Sequence, residues 1–431
     1  MKWLVLLLLG APALVTASVN AAPSADPAGP VDPARPVDPT VAAVLDWNRT
    51  VLALAEAEDG FMTLKGVRTA AIMHLAMRRV LEEGRGDAVA MAPAYIAAAA
   101  HAVALRQFPG QQATLDALLQ QHQPAADERV LARGRAVAQA VLAQRADDGW
   151  DREAEYRWHP MGPGVYAEFA EHSGTPEGFV FGAGWAQARG FALERPDQFR
   201  VPAPPAIDSP AYARAFEEVK SLGRFQTLTR TPDQSHIALW WKDFVENSHN
   251  RLARSLIRAE ALSPDVAVSL LALLNSAIFD AYVSSFENKF HYNHWRPYTA
   301  IRWAHEDGNA ATQREASWTN LHRHSYAFPS YPSAHGTACG AAMTVLEAFL
   351  GTPYAFTMTT AEVDIAGPFS GKIALRPPTR TFASFADAAH ECGRSRVYLG
   401  IHFDYDATAG VALGRQVGER ALNVLGGPAQ R

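Results

Sequence analysis

The sequence predicts an all-α protein, two packed helical bundles with little or no sheet. Ala- and Leu-rich stretches with apolar residues at helical spacing fill the first half, and runs of alternating β-branched residues are scarce. The 431 residues are 48% hydrophobic and 19% charged, enough apolar material for two domains and too much for a disordered or fibrous chain. A net charge of -5 argues against a general nucleic-acid binder.

Residues 1–21 read as a secretory signal peptide: Lys2, an apolar run from Trp3 to Val15, and small residues around Val19-Asn20-Ala21. That run falls short of the ~20 residues a bilayer span needs, and no later segment reads as a span, so a secreted or periplasmic protein is expected. Residues 22–40 hold six prolines and a repeated Val-Asp-Pro, an extended spacer. Residues 41–208 then form the N-terminal bundle, with helices expected over 41–58, 67–83, 88–107, 113–121 and 126–145. Its end, 147–208, is rich in Gly, Pro and aromatics; a loop this long either wraps the second bundle or roofs a pocket. Residues 209–426 form the C-terminal bundle, with helical spacing over 210–222 and 235–304 and helices alternating with Pro- and Gly-marked loops after 317. Cys339 and Cys392 are the only cysteines, and a disulfide or two buried thiols suit them equally.

Three clusters in the second bundle carry chemistry. Lys289 and Arg296, seven positions apart, would lie within ~20° on one helical stripe, among Phe286, Phe290, Tyr292, Trp295 and Pro297. Two cations on so aromatic a face call for an anion. At Tyr331-Pro332-Ser333-Ala334-His335-Gly336 a helix begins, offering N–H groups to an anion, a Ser333 hydroxyl and His335 as an acid–base group. In the third, His402 and Asp406 are one helical turn apart, so the carboxylate fixes the imidazole's tautomer and frees its other nitrogen. Arg396 would point ~120° from His402 on a straight helix, so a bend near Gly400 or the arginine's length must bring it in.

In this order and spacing the clusters resemble the three-part signature of the vanadium-dependent haloperoxidases and type 2 phosphatidic acid phosphatases. Its elements are Lys, six residues, Arg-Pro; Pro-Ser-Gly-His; and Ser-Arg, five residues, His, three residues, Asp. Every position matches except Ala334, which stands for the glycine. The resemblance implies a helical fold of the vanadium haloperoxidase type. It implies an oxyanion held by Lys289, Arg296, Ser333, the backbone at Ala334 and Gly336, and Arg396. His335, His402 and Asp406 are the implied catalytic residues. With vanadate as cofactor, His402 is the axial ligand, His335 handles the proton of hydrogen peroxide, and halide is oxidised. With a phosphoester substrate, His402 forms a phosphohistidine and His335 protonates the leaving alcohol, as in an acid phosphatase. Phe286 and Phe328 fall where the family lines its halide pocket. The similarity to haloperoxidases around Trp295-Arg296-Pro297 and Thr299-Ala300-Ile301-Arg302 favours the peroxidase. A non-catalytic oxyanion binder would need neither His335 nor His402. A zinc site from His291, His294, His305, His322, His324 and His390 lacks the usual spacing. On the helix carrying Lys289 and Arg296, His294 and His291 would point ~140° and ~160° away from the cationic stripe.

Overall fold

The structure, a computed structural model, describes residues 36–59, 64–84, 91–123, 127–167, 173, 179–367 and 370–428. The signal-peptide reading and nearly all of the spacer lie outside the described residues. The first bundle is α1 (Pro39–Asp59), α2 (Leu64–Glu83), α3 (Ala92–Gln107), α4 (Gln112–His122) and α5 (Glu128–Gln144), close to the expected ranges. Asp127 caps α5 by accepting from the Arg129 N–H.

The second bundle is α6 (Pro210–Leu222), α7 (Pro232–Trp240), α8 (Val245–Ala259), α9 (Pro264–Tyr292), α10 (Pro297–Arg302), α11 (Ala334–Leu350), α12 (Phe385–Tyr398) and α13 (Asp404–Leu425). Between α11 and α12 lie two antiparallel pairs. Strand β1 (Phe356–Thr359) pairs with β4 (Thr379–Phe382), and β2 (Glu362–Asp364) with β3 (Lys372–Ala374). The architecture is all-α apart from these short strands.

Helix α9 is the central pillar. Long and apolar enough to cross a membrane, it corrects the expectation that no later segment would be; 89% of its most apolar window is buried in the protein, as in a core helix. It packs against α2 of the first bundle and α11 of the second, and one apolar cluster runs from Val41 through α9 to Ala421. The loop-rich 147–208 segment wraps it: Asp280 on α9 accepts the N–H groups of Phe191, Ala192 and Leu193 at 2.6, 2.7 and 3.0 Å. Helices α11 and α13 approach so closely that a Cβ on Gly414 would sit 2.0 Å from the Thr337 carbonyl and one on Gly410 2.5 Å from that of Ser333. This contact brings the second and third clusters together.

Candidate active site

The first cluster is not one helical stripe. Helix α9 ends at Tyr292, Asn293 turns left-handed (φ 50°) and returns its N–H to the Lys289 carbonyl, and Arg296 is extended (ψ 155°) before Pro297 opens α10. The helix-face reasoning therefore fails for Arg296 and His294, which lie beyond the helix, and holds for His291, exposed on α9 while Lys289 is buried; the cations still converge. Lys289 is fully buried in the last turn of α9, donating to the carbonyls of Pro329 (2.9 Å) and Ser330 (2.6 Å). Arg296 donates through Nε to Phe328 O (3.0 Å) and through Nη1 to Ile401 O (3.0 Å), and Nη1 lies 3.1 Å from His402 Nε2. Both cations sit over the Phe328 ring, Arg296 at 4.7 Å and Lys289 at 5.2 Å.

In the second cluster Ser333 is the N-cap of α11, and its Oγ accepts the Gly336 N–H at 3.2 Å. The expectation that the Gly336 N–H would serve an anion is thus corrected: capping takes it. Ala334 is the first residue of α11 and has no positive φ, so the backbone here does not need a glycine. His335 bonds the Trp241 carbonyl, while its Nε2 is buried with no partner among the described residues. That assigns the proton to Nδ1 and the lone pair to Nε2. Burial, and then Arg396, hold this imidazole well below the usual histidine range.

In the third cluster Arg396 closes α12, and a left-handed Gly400 (φ +82°) turns the chain so that Ile401 and His402 come back toward it; the expected bend is there. His402 precedes α13 rather than lying on it. Asp406, third residue of α13, receives His402 Nδ1 (2.9 Å), the Phe403 N–H (3.2 Å) and the Ser330 hydroxyl on the same oxygen, Oδ2. Burial, with Arg296, Lys289 and Arg396 nearby, keeps His402 well below its usual range, hence neutral, with Nδ1–H on Asp406 and a lone pair on Nε2. Arg396 donates through Nη1 to Trp241 O at 2.8 Å. Burial lowers both guanidinium groups to about 10, so they stay charged at neutral pH.

A pocket is lined by Ala334, His335, Arg396, Ile401, His402 and Phe328, with Lys242, Phe244, Tyr282 and Tyr326. Arg296 instead lines an adjoining pocket with Tyr166, Tyr298, Ser325 and Tyr326, so Tyr326 is a wall of both. Lys289 lines neither. Phe286 is not on either wall; it packs 5.1 Å behind Phe328. The sequence reading missed Lys242 and Phe244 in the loop between α7 and α8, Tyr282 two turns before Lys289 on α9, and Tyr326 and Ser330 in the loop leading to α11, which belong to none of the three motifs.

Among the described residues, the only close group of metal-ligating type is His335, Cys339 and Cys392, and the two cysteines are joined as a disulfide. This decides between the two cysteine readings. Of the zinc candidates only His322 and His324 meet, with ring centroids 5.3 Å apart; His294 is buried on the Tyr405 hydroxyl at 2.7 Å, while His291, His305 and His390 are exposed.

The donor set fits an oxyanion. Arg296 Nη2 and Arg396 Nε are buried N–H donors with no partner among the described residues, and His335 Nε2 is a buried acceptor with none, suited to a protonated oxygen of the anion. Lys289 and Arg296 are buried beside Asp406; burial holds Lys289 well below its usual range and pushes Asp406 up to about 7, so a bound anion would favour the charged lysine and complete the balance.

Residues 269–429 match the family model of the VCPO second helical-bundle domain. The vanadium chloroperoxidase of Curvularia inaequalis is 25% identical over 263 residues, 48% of this chain and 43% of that protein, so the match spans under half of its relative. A bacterial vanadium-dependent iodoperoxidase superposes with TM-score 0.69 at 20% identity, over 90% of this chain and 98% of that one. The chain has the vanadium haloperoxidase fold. A bacterial vanadium-dependent chloroperoxidase in its holo form gives TM-score 0.62 at 17% identity, covering 90% of this chain and 93% of that one. Set in this haloperoxidase fold, the three clusters lie at the C-terminal ends of α9 and α12 and at the starts of α11 and α13.

Proposed function

We propose that the protein is a vanadate-dependent haloperoxidase that oxidises halide with hydrogen peroxide. One observation carries the reading. A neutral imidazole, His402, is held by a buried carboxylate at Nδ1, and its Nε2 accepts from Arg296 Nη1 at 3.1 Å, a bond a ligand on Nε2 would replace, within a pocket that Arg396 and His335 also line. His402 Nε2 is the atom that would hold vanadate, with Arg296 and Arg396 hydrogen-bonded to its oxygens and Lys289 adding its field. Bound there, vanadate supplies Lewis-acid activation of hydrogen peroxide toward halide.

The chain's own residues do the rest. Asp406 keeps the Nδ1–H in place, so the Nε2 lone pair stays directed at the anion. His335, with its lone pair on Nε2 and its Nδ1–H on Trp241, is placed to accept and return a proton. Phe244, Tyr282, Phe328 and Ile401 wall the pocket with apolar surface and limit the water beside that proton. The same His402 lone pair supports a second reading, an acid phosphatase in which His402 attacks phosphorus and His335 protonates the leaving alcohol. The disulfide and the leader-like first 21 residues support an exported protein.

The test is purified protein assayed twice. Vanadate loading should give peroxide-dependent oxidation of bromide or iodide that is lost in His402→Ala. Hydrolysis of p-nitrophenyl phosphate by the vanadate-free protein, without halide oxidation after loading, would select the phosphatase. Silence in both with tight orthovanadate binding would leave a binding protein.

A further inference from the structure

Ser330 belongs to none of the three clusters, yet the first and third meet on it. Its N–H donates to the His294 carbonyl at 2.8 Å, inside the first cluster. Its carbonyl accepts from Lys289 Nζ at 2.6 Å. Its hydroxyl donates to Asp406 Oδ2 and lies 3.2 Å from His402 Nδ1, the heart of the third cluster. Ser333 of the second cluster follows three residues later and donates its own N–H to the Asp406 carbonyl at 2.9 Å. Ser330 is fully buried, and with its backbone held at both ends the hydroxyl has one place to go.

Asp406 depends on that hydroxyl. Its Oδ1 is buried with no partner among the described residues, so the carboxylate is oriented through Oδ2 alone, by Ser330, His402 and the Phe403 N–H. Without the serine, the carboxylate keeps one main-chain donor besides the imidazole it is meant to hold. We propose that Ser330 is a positioning residue that locks Asp406, and through it the orientation of His402 Nε2 toward the bound oxyanion. This rests on the oxyanion reading of the site. Partners that orient a ligating imidazole typically carry 10- to 100-fold in affinity.

Ser330→Ala removes the hydroxyl at little change in volume, and Ser330→Cys keeps a weaker donor of similar shape. Orthovanadate affinity, measured by titration calorimetry, should fall about 10-fold in the alanine variant and roughly threefold in the cysteine variant, with circular dichroism unchanged. Equal affinity in native and alanine proteins would overturn the proposal. A second readout needs no anion. Histidine-selective nitrogen NMR should show His402 protonated at Nδ1 in the native protein, a signal that weakens or exchanges in Ser330→Ala. Identical spectra would overturn the proposal. A native protein that binds neither orthovanadate nor phosphate would refute the oxyanion reading instead, and the NMR comparison would then decide the role of Ser330 alone.

Discussion

Replacing Arg296 by lysine keeps the charge and removes the fork. In the native protein the guanidinium spends Nε on Phe328 O and Nη1 on Ile401 O, each at 3.0 Å, with Nη1 also donating to His402 Nε2 at 3.1 Å, and leaves Nη2 for a ligand. A lysine has a single nitrogen at the end of a flexible stem and cannot serve two carbonyls and an anion in that geometry. Coulombic attraction to the anion survives, so the change isolates directional hydrogen bonding. One lost bond to a charged acceptor is worth about 1.5–3 kcal/mol, which is roughly 10- to 150-fold in orthovanadate Kd. The two carbonyl bonds add about 1 kcal/mol each to the loss of folding stability. Calorimetric titration with orthovanadate reads the first quantity and urea unfolding the second. A Kd within threefold of native, with stability reduced as expected, would refute the claim that Arg296 donates to the anion.

Three further outcomes follow from the geometry. His335→Ala should leave orthovanadate affinity nearly unchanged while peroxide-dependent halide oxidation falls about 100-fold or more, since a proton-transfer group is lost and no ligand is; equal losses in both would make His335 a binding residue. The Cys339–Cys392 bond closes a loop of sequence separation 53, so the Cys339→Ala/Cys392→Ala protein should lose about 4 kcal/mol in urea unfolding. Burial lowers Lys242 from 10.5 to about 8, so between those values the unfolded chain binds more protons and stability rises with pH; that slope should be shallower in Lys242→Met.

How much of this was legible in the chain depends on where each signal lives. The α-helical class and the limits of α1, α2 and α4 follow from apolar spacing that packing reinforces. The bend at Gly400 was readable because only a turn could reconcile Arg396 with His402. The stripe of Lys289 and Arg296 misled, because helical spacing was extended past Asn293, whose left-handed turn and the Pro297 beyond it end the helix. Gly336 misled for another reason: a serine at an N-cap bonds the N–H three residues on, so that donor is taken locally. The pairing of Cys339 with Cys392 required the packing of α11 on α12. Ser330, Lys242 and Tyr282 were invisible because none belongs to a motif, and their partners are set only by tertiary contact.

Equilibrium dialysis of the purified protein against orthovanadate tests the central claim most directly. The account predicts one orthovanadate per chain, competed by phosphate, with thermal unfolding shifted upward by bound anion and binding abolished in Arg396→Ala and His402→Ala. Stoichiometric binding that survives both substitutions, or none in the native protein, would contradict it.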